Sequence, residues 1–413
     1  MERPGEGAAQ ASRHTLLSLH LPAFILALGT GIAAPALPVY ARSFDISFGL
    51  ASLVVIVYLL GSLVSTIPTG YLIDRVGRRR VVLAGPLLTA LASFLVATAH
   101  SFPELLLYRF LGGCGSQMWM LARLAIIADT GGEHRGRQIT GMFGMDAIGR
   151  LLGPALGGVV AAGWGITVPF ILHGLVALLA LIPSVSLVPE TRPRARFSPA
   201  GASGPESRAA RVAWAEFLAR PLLILLAAQL FSSLTRGSLF SGTLDLYAVY
   251  AYAVGPETIG LLSAVGSALG IPLTFASGHL MDRFGRKATV VPGLAALGAG
   301  LSFLALTAYS RWPFWTYVVG FLWVRLALST TSGSMQVLAS DVAPAHARGQ
   351  FFGLWRFIGE IGTFVSPVAF AGLSEWLGFA ASFLFLSATG VSAALLLGTQ
   401  VRETLFRREA PAT

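Results

Sequence analysis

Apolar runs long enough to cross a bilayer recur along almost the whole chain, and this repetition limits the fold more than any other feature. A spanning helix needs ~20 mainly apolar residues. Twelve segments reach that length: 16–41, 48–73, 81–100, 103–128, 138–162, 166–188, 219–249, 257–281, 288–309, 312–339, 349–373 and 377–400. None shows the period-2 alternation of barrel strands, so helices are expected. Of the 413 residues, 54% are hydrophobic and only 12% are charged, against about 25% charged in a soluble domain. The mean hydropathy is +0.71. The expectation is an all-α integral membrane protein with 12 transmembrane helices. The first run is too long for a signal-peptide core and reads as an uncleaved span after a polar Met1–His14. The single cysteine, Cys114, permits no intramolecular disulfide and reads as a small packing residue.

A net charge of +10 could point to nucleic acid, but its placement argues for the membrane. The loops after spans 2, 4, 6, 8 and 10 hold Arg75, Arg78, Arg79, Arg80, Arg135, Arg137, the six arginines from Arg192 to Arg220, Arg283, Arg286, Lys287 and Arg348. The loops on the other side hold only Arg42 and Arg311. Such asymmetry puts the basic loops, and both termini, in the cytoplasm of a multi-pass cell-membrane protein. No nucleic-acid partner is expected.

Residues 189–211, "PETRPRARFSPAGASGPESRAAR", are rich in Pro, Gly, Ser and Arg and read as a cytoplasmic linker after the sixth span. The chain then divides into six-helix bundles at 1–188 and 217–413, with 189–216 between them. The bundles repeat one another. Gly70, Asp74, Arg75, Gly77 and Arg78 recur 208 positions on as Gly278, Asp282, Arg283, Gly285 and Arg286. Asp129, Gln138 and Gly141 recur 212 positions on as Asp341, Gln350 and Gly353. Two matching halves in tandem mark a transporter built by duplication.

The repeated turn, "GYLIDRVGRRR" and "GHLMDRFGRKA", carries its own chemistry. Gly70 and Gly278 are expected to permit close helix approach. Gly77 and Gly285 permit backbone angles that a Cβ would resist. The arginines anchor at an anionic surface, each contributing ~1 kcal/mol. Orientation alone would need no aspartate, so Asp74 and Asp282 call for a cationic partner or a helix N-terminus. The pattern G-x-x-x-D-R-x-G-R-[RK] after spans 2 and 8, within two six-span halves, resembles the major facilitator superfamily. That resemblance implies two pseudo-symmetric six-helix bundles. It also implies a cytoplasmic gate, with Asp74, Arg75, Gly77, Arg78 and Asp129 acting against the start of span 11. Asp282, Arg283, Gly285, Arg286 and Asp341 would act against span 5. The alternative is a purely topogenic turn.

Span 5 contains "GRLLGPALGG", with Gly149, Gly153, Pro154, Gly157 and Gly158. Small residues at this spacing let helices touch backbone to backbone, and Pro154 deletes one internal hydrogen bond. The pattern resembles the family's antiporter-associated signature; ordinary tight packing is the alternative. Arg109 in span 4, followed by Gly113 and Gly115, resembles in part a family pattern tied to proton coupling. Its alternative is pairing with backbone carbonyls.

Ionisable residues inside spans usually face a cavity or a partner, because a charge at the bilayer centre costs at least ~2.5–3.5 kcal/mol. The candidates for a substrate and proton pathway are Arg109, Arg123, Asp146, Arg150, Arg236, Asp245, Arg325, Arg356 and Glu360. Asp146 with Arg150, and Arg356 with Glu360, are four residues apart and can meet on one helix face. Each pair could equally be a self-neutralised brace. Six arginines against three acids leave a positive surplus, which suits an anionic, zwitterionic or amphiphilic small molecule. No nucleotide loop, cofactor signature, metal cluster or catalytic set stands out, so no cofactor and no enzyme are expected. His173 reads as a residue of span 6 that packs or pairs rather than catalyses. Asp146, Asp245 and Glu360 are the acids placed to carry a proton. The leading expectation is a monomeric secondary transporter exporting its substrate by proton antiport. Uptake of an organic anion or sugar, by symport or facilitated diffusion, is the second reading, and a polytopic membrane enzyme is a remote third.

Overall fold

A computed structural model describes residues 18, 20–130, 135–188, 220–331, 333–344, 348–401 and 403. The linker expected at 189–216 lies outside the described residues. The first half forms α1 (Leu21–Ala33), α2 (Ala36–Arg42), α3 (Phe48–Val76), α4 (Arg78–Ala97), α5 (Phe102–Thr130), α6 (Arg135–Trp164), α7 (Val168–Leu179) and α8 (Leu181–Leu187). The second forms α9 (Arg220–Phe240), α10 (Thr243–Tyr252), α11 (Pro256–Phe284), α12 (Lys287–Tyr309), α13 (Phe314–Thr330), α14 (Ser334–Val342), α15 (Arg348–Leu377) and α16 (Phe379–Gln400). No strand occurs among the described residues.

Eleven helices among the described residues are long and apolar enough to span a membrane. The remaining expected span, the tenth at 312–339, is divided: α13 has 17 residues, α14 has 9, and Gly333 at φ +76° opens the second piece. The span expected at 219–249 is also broken, because Gly242 adopts φ +84° between α9 and α10. A left-handed residue cannot continue a right-handed helix.

Packing divides the chain into two compact units. Unit 1 holds residues 1–197 and 245–264; unit 2 holds 198–244 and 265–413. In unit 1, α1 packs on α6 and α7, and α4 packs on α5 and α7. In unit 2, α9 packs on α15 and α16, and α12 packs on α13 and α16. These are the same pairings one repeat apart, so the duplication seen in the charged turns extends to the helix packing. The core of unit 1 gathers Leu26, Val82, Trp119, Ile126 and Met142. That of unit 2 gathers Leu225, Leu294, Phe351, Trp355 and Leu397. Many large apolar side chains remain outside these cores, among them Ile67, Val159, Phe275 and Leu395. Helices bathed in hydrocarbon present such faces.

Candidate functional site

The two charged turns have the same internal geometry. Gly77 and Gly285 both adopt positive φ, +107° and +108°. With ψ at 157°, Gly77 sits in a region essentially reserved for glycine. The reversal brings the arginine one place on back over the preceding helix. Arg78 donates from Nε to Asp129 (3.0 Å), lies 3.6 Å from Asp74, and donates to the Ile73 carbonyl (3.2 Å). Arg286 repeats this with Asp341 (3.2 Å), Asp282 (2.8 Å) and the Met281 carbonyl (3.1 Å). Burial alone would lower the pKa of Arg286, but its bonds to Asp282 and Asp341 more than offset this and raise it. The guanidinium therefore stays charged at every working pH. Asp74 and Asp282 are each 79% exposed. Arg75 turns back to the Tyr71 hydroxyl, and Arg283 lies over the Phe284 ring. The close helix approach expected at Gly70 and Gly278 is not seen within their own units, since a Cβ at either would meet nothing within 4 Å among the described residues.

One partner of the second turn escapes sequence reading. Glu403 accepts from the backbone nitrogens of Arg286 (2.8 Å) and Lys287 (3.0 Å), capping α12. Lys287 in turn donates to the carbonyls of Gly398 and Val401 at the end of α16. An acid at a helix N-terminus is a recognisable signal only once the two segments are known to meet.

The glycines of α6 are used as contacts. A Cβ on Gly149 would stand 2.6 Å from the Phe24 carbonyl oxygen, and one on Gly153 would stand 2.5 Å from Gly31 Cα. A Cβ on Gly157 would strike the Ile32 carbonyl. All three contacts fall on α1, so the two helices meet backbone to backbone. Pro154 bears on Gly31 and Gly260, and Gly158 lies against Pro256, which unit 1 also contains.

The ionisable residues sort differently from the helical spacing. Asp146 pairs with Arg123 of α5, its carboxylate 3.4 Å from Nη2 and 3.5 Å from Nη1, rather than with Arg150. Arg123 is 2% exposed, stacks 4.7 Å from the Trp119 ring, and its Nε has no partner among the described residues. Arg150 is exposed, and no described residue gives it a hydrogen bond or an ion pair. Arg109 donates to the Val54 carbonyl (3.3 Å) and lies 4.4 Å from the Tyr58 ring. In unit 2, Arg356 and Glu360 do pair, at 3.6 Å, and are 62% and 56% exposed. Arg236 donates to the Thr331 carbonyl (3.2 Å) and lies over Phe240. Arg325 reaches the Ser267 hydroxyl (3.5 Å) and the Phe321 ring. Asp245 stands in the first turn of α10, half-buried, beyond the Gly242 break rather than within a continuous span.

His173, expected to pack or pair, bonds Ser93 through Nδ1 (3.0 Å), and its Nε2 has no partner among the described residues. Other polar groups that the sequence did not single out also meet. Gln117 joins Ser62 and Thr66 (3.0 Å each), and Ser238 joins Ser366 (2.6 Å). A hydroxyl in an apolar helix gives no signal of its own, because it can always bond its own backbone.

The profile described as Major Facilitator Superfamily matches residues 19–367 and 225–412. The chain is 27% identical over 256 residues to quinolone resistance protein NorA of Staphylococcus aureus (strain MRSA252), covering 61% of this chain and 63% of that protein. The match thus spans less than two thirds of that relative's length. It is 23% identical over 365 residues to the uncharacterized MFS-type transporter MJ1560 of Methanocaldococcus jannaschii, covering 88% of this chain and 92% of that one. The crystal structure of a D-xylose-proton symporter superposes with a TM-score of 0.73 at 19% identity, over 94% of this chain and 98% of that one. That likeness bears on the fold alone. With the profile matching most of a chain whose spans, charged turns and helix pairings all repeat once, the protein belongs to the major facilitator superfamily of membrane transporters.

Proposed function

We propose that the protein exports a small organic amphiphile by alternating access, driven by protons moving the other way. The observation that carries this reading is the seating of Gly149, Gly153 and Gly157 of α6 on α1, because it uses three of the four glycines of the antiporter-like motif. The similarity to a quinolone resistance protein supports export. The moving parts would be the bundles 1–188 and 217–413. Their basic loops, the linker 189–216 and both termini would lie in the cytoplasm, with the turns at Asp74 and Asp282 as gate. Arg150, exposed and without a partner among the described residues, is the group to take a negative head. Asp146 is the acid to carry the proton, since its neutralisation would release Arg123.

The test is transport by the purified chain in proteoliposomes with an imposed pH gradient. Anionic, zwitterionic and cationic probes would be compared, a quinolone among them. Export should follow the gradient and fall in Arg150→Ala for probes with a negative group. Indifference to the gradient would refute proton coupling, and chemical change of the probe would indicate an enzyme. Labelling of a cysteine placed at Arg196 from outside intact cells would overturn the orientation. The unpartnered charge of Arg150 also favours the second reading, uptake of an organic anion or sugar. Accumulation in the direction of the proton gradient would select it.

A further inference from the structure

A cavity of about 770 Å³ lies wholly within unit 2, walled by α11, the start of α12 and the end of α13. Its volume falls within the ~300–1,000 Å³ of small-molecule sites. Leu280, Phe284, Pro292, Trp323 and Leu326 are among the large apolar side chains of its wall. Leu280, Phe284 and Trp323 are also exposed, so on membrane helices the cavity opens sideways into hydrocarbon.

Three hydroxyls line it. Ser277 bonds the Thr274 carbonyl (2.9 Å) and Thr330 bonds the Ala327 carbonyl (2.7 Å), each within its own helix. Thr289 is only 7% exposed, and its hydroxyl has no partner among the described residues. A buried polar group without a partner costs free energy unless a ligand supplies one. Thr289 is the third residue of α12, just inside the basic turn. Three cations stand at that end. Arg286 is held by Asp282 and Asp341, and Lys287 by two carbonyls of α16 and its following residue. Arg283 is exposed, and no described acid pairs with it. Its guanidinium lies 5.3 Å from the ring of Phe284, at the cavity mouth.

We propose that this cavity holds one acyl chain of an anionic phospholipid, with the phosphate at Arg283 and the ester carbonyl at the Thr289 hydroxyl. Both polar groups stand at the basic end, Arg283 in the last turn of α11 and Thr289 in the first turn of α12, and the apolar wall follows, which suits a lipid with its head at the turn. A bound lipid of this kind is a resident of unit 2 and independent of the compound transported.

Retention of lipid by the purified full chain, followed by native mass spectrometry and thermal shift, tests this. The probes are phosphatidylglycerol, phosphatidylcholine with the same chains, and glycerol 3-phosphate. Phosphatidylglycerol should be retained and should raise Tm. Phosphatidylcholine keeps the phosphate but its choline cation cancels the net negative charge that Arg283 meets, so it should bind about fivefold more weakly. Arg283→Ala should bring phosphatidylglycerol down to the phosphatidylcholine level. Ala296→Phe, which fills the cavity wall, should abolish retention of both; Thr289→Val, nearly isosteric, should weaken both if Ala296→Phe does not fold. Equal effect from glycerol 3-phosphate would overturn the proposal, because it would leave no role for the chain. So would unchanged retention in Thr289→Val together with Ala296→Phe.

Discussion

Asp146 and Arg123 form an ion pair in a nearly closed site, and such a pair is worth most when one partner is removed. Asp146→Asn should leave the Arg123 charge, 2% exposed, without its anion, at a cost of ~3–5 kcal/mol. A large fall in Tm of the purified protein is expected. Arg123→Met combined with Asp146→Asn should recover much of it. Loss of the pH response of transport in the double variant, with stability restored, would mark a proton carrier; an unchanged response would mark a brace. The turn glycines give a second expectation. Gly77→Ala and Gly285→Ala force a side chain into the φ +107° and +108° conformations, each costing ~1–3 kcal/mol, read as reduced Tm. Arg356 with Glu360 is legible from spacing, since a helix places residues four apart on one face and neither of these two has a competing partner among the described residues. Asp146 with Arg123 is not, because it depends on where α5 crosses α6.

At the scale of the helix, the glycines of α6 are not equivalent. Gly157 and Gly144 share the helix, yet only a Cβ at Gly157 would meet backbone, whereas one at Gly144 would meet nothing within 4 Å. Gly157→Ala should part α6 from α1, lowering both Tm and transport. Gly144→Ala should be neutral or stabilising, by up to ~1 kcal/mol from helix propensity. Equal effects of the two would contradict the packing role of the motif. Capping by Glu403 predicts that Glu403→Gln loosens the start of α12, a change of about 0.5–2 kcal/mol, visible as faster hydrogen exchange at Arg286 and Lys287. Helix existence was readable from apolar length, and helix breaks were not. Hydropathy averages over a window, so Gly242 and Gly333 vanish inside apolar runs although the first lies in the break between α9 and α10 and the second opens α14.

For the molecule as a whole, the informative groups are the two aspartates that the turns do not use up. Each carboxylate has about four acceptor positions. Asp74 gives one to Arg78 at 3.6 Å, and Asp282 gives one to Arg286 at 2.8 Å, yet both remain 79% exposed. Asp129 and Asp341 hold the same arginines from the other side. Each arginine is thus shared between an inner and an outer acid, and in the gate proposed above the exposed outer acid would keep capacity for a donor that arrives in another state of the transport cycle. Conformations of a transporter differ by a few kcal/mol, and a hydrogen bond to a charged group contributes ~1.5–3 kcal/mol. Losing one such bond is enough to shift their populations about tenfold or more. Asp74→Asn and Asp282→Asn should therefore leave insertion, Tm and the bonds from Arg78 to Asp129 and from Arg286 to Asp341 intact. They should nonetheless redistribute the distances between spin labels placed at the basic ends of the two halves. Distance distributions identical to those of the unsubstituted protein would reduce the turns to anchors that set orientation, with the aspartates serving only to steady their neighbouring arginines.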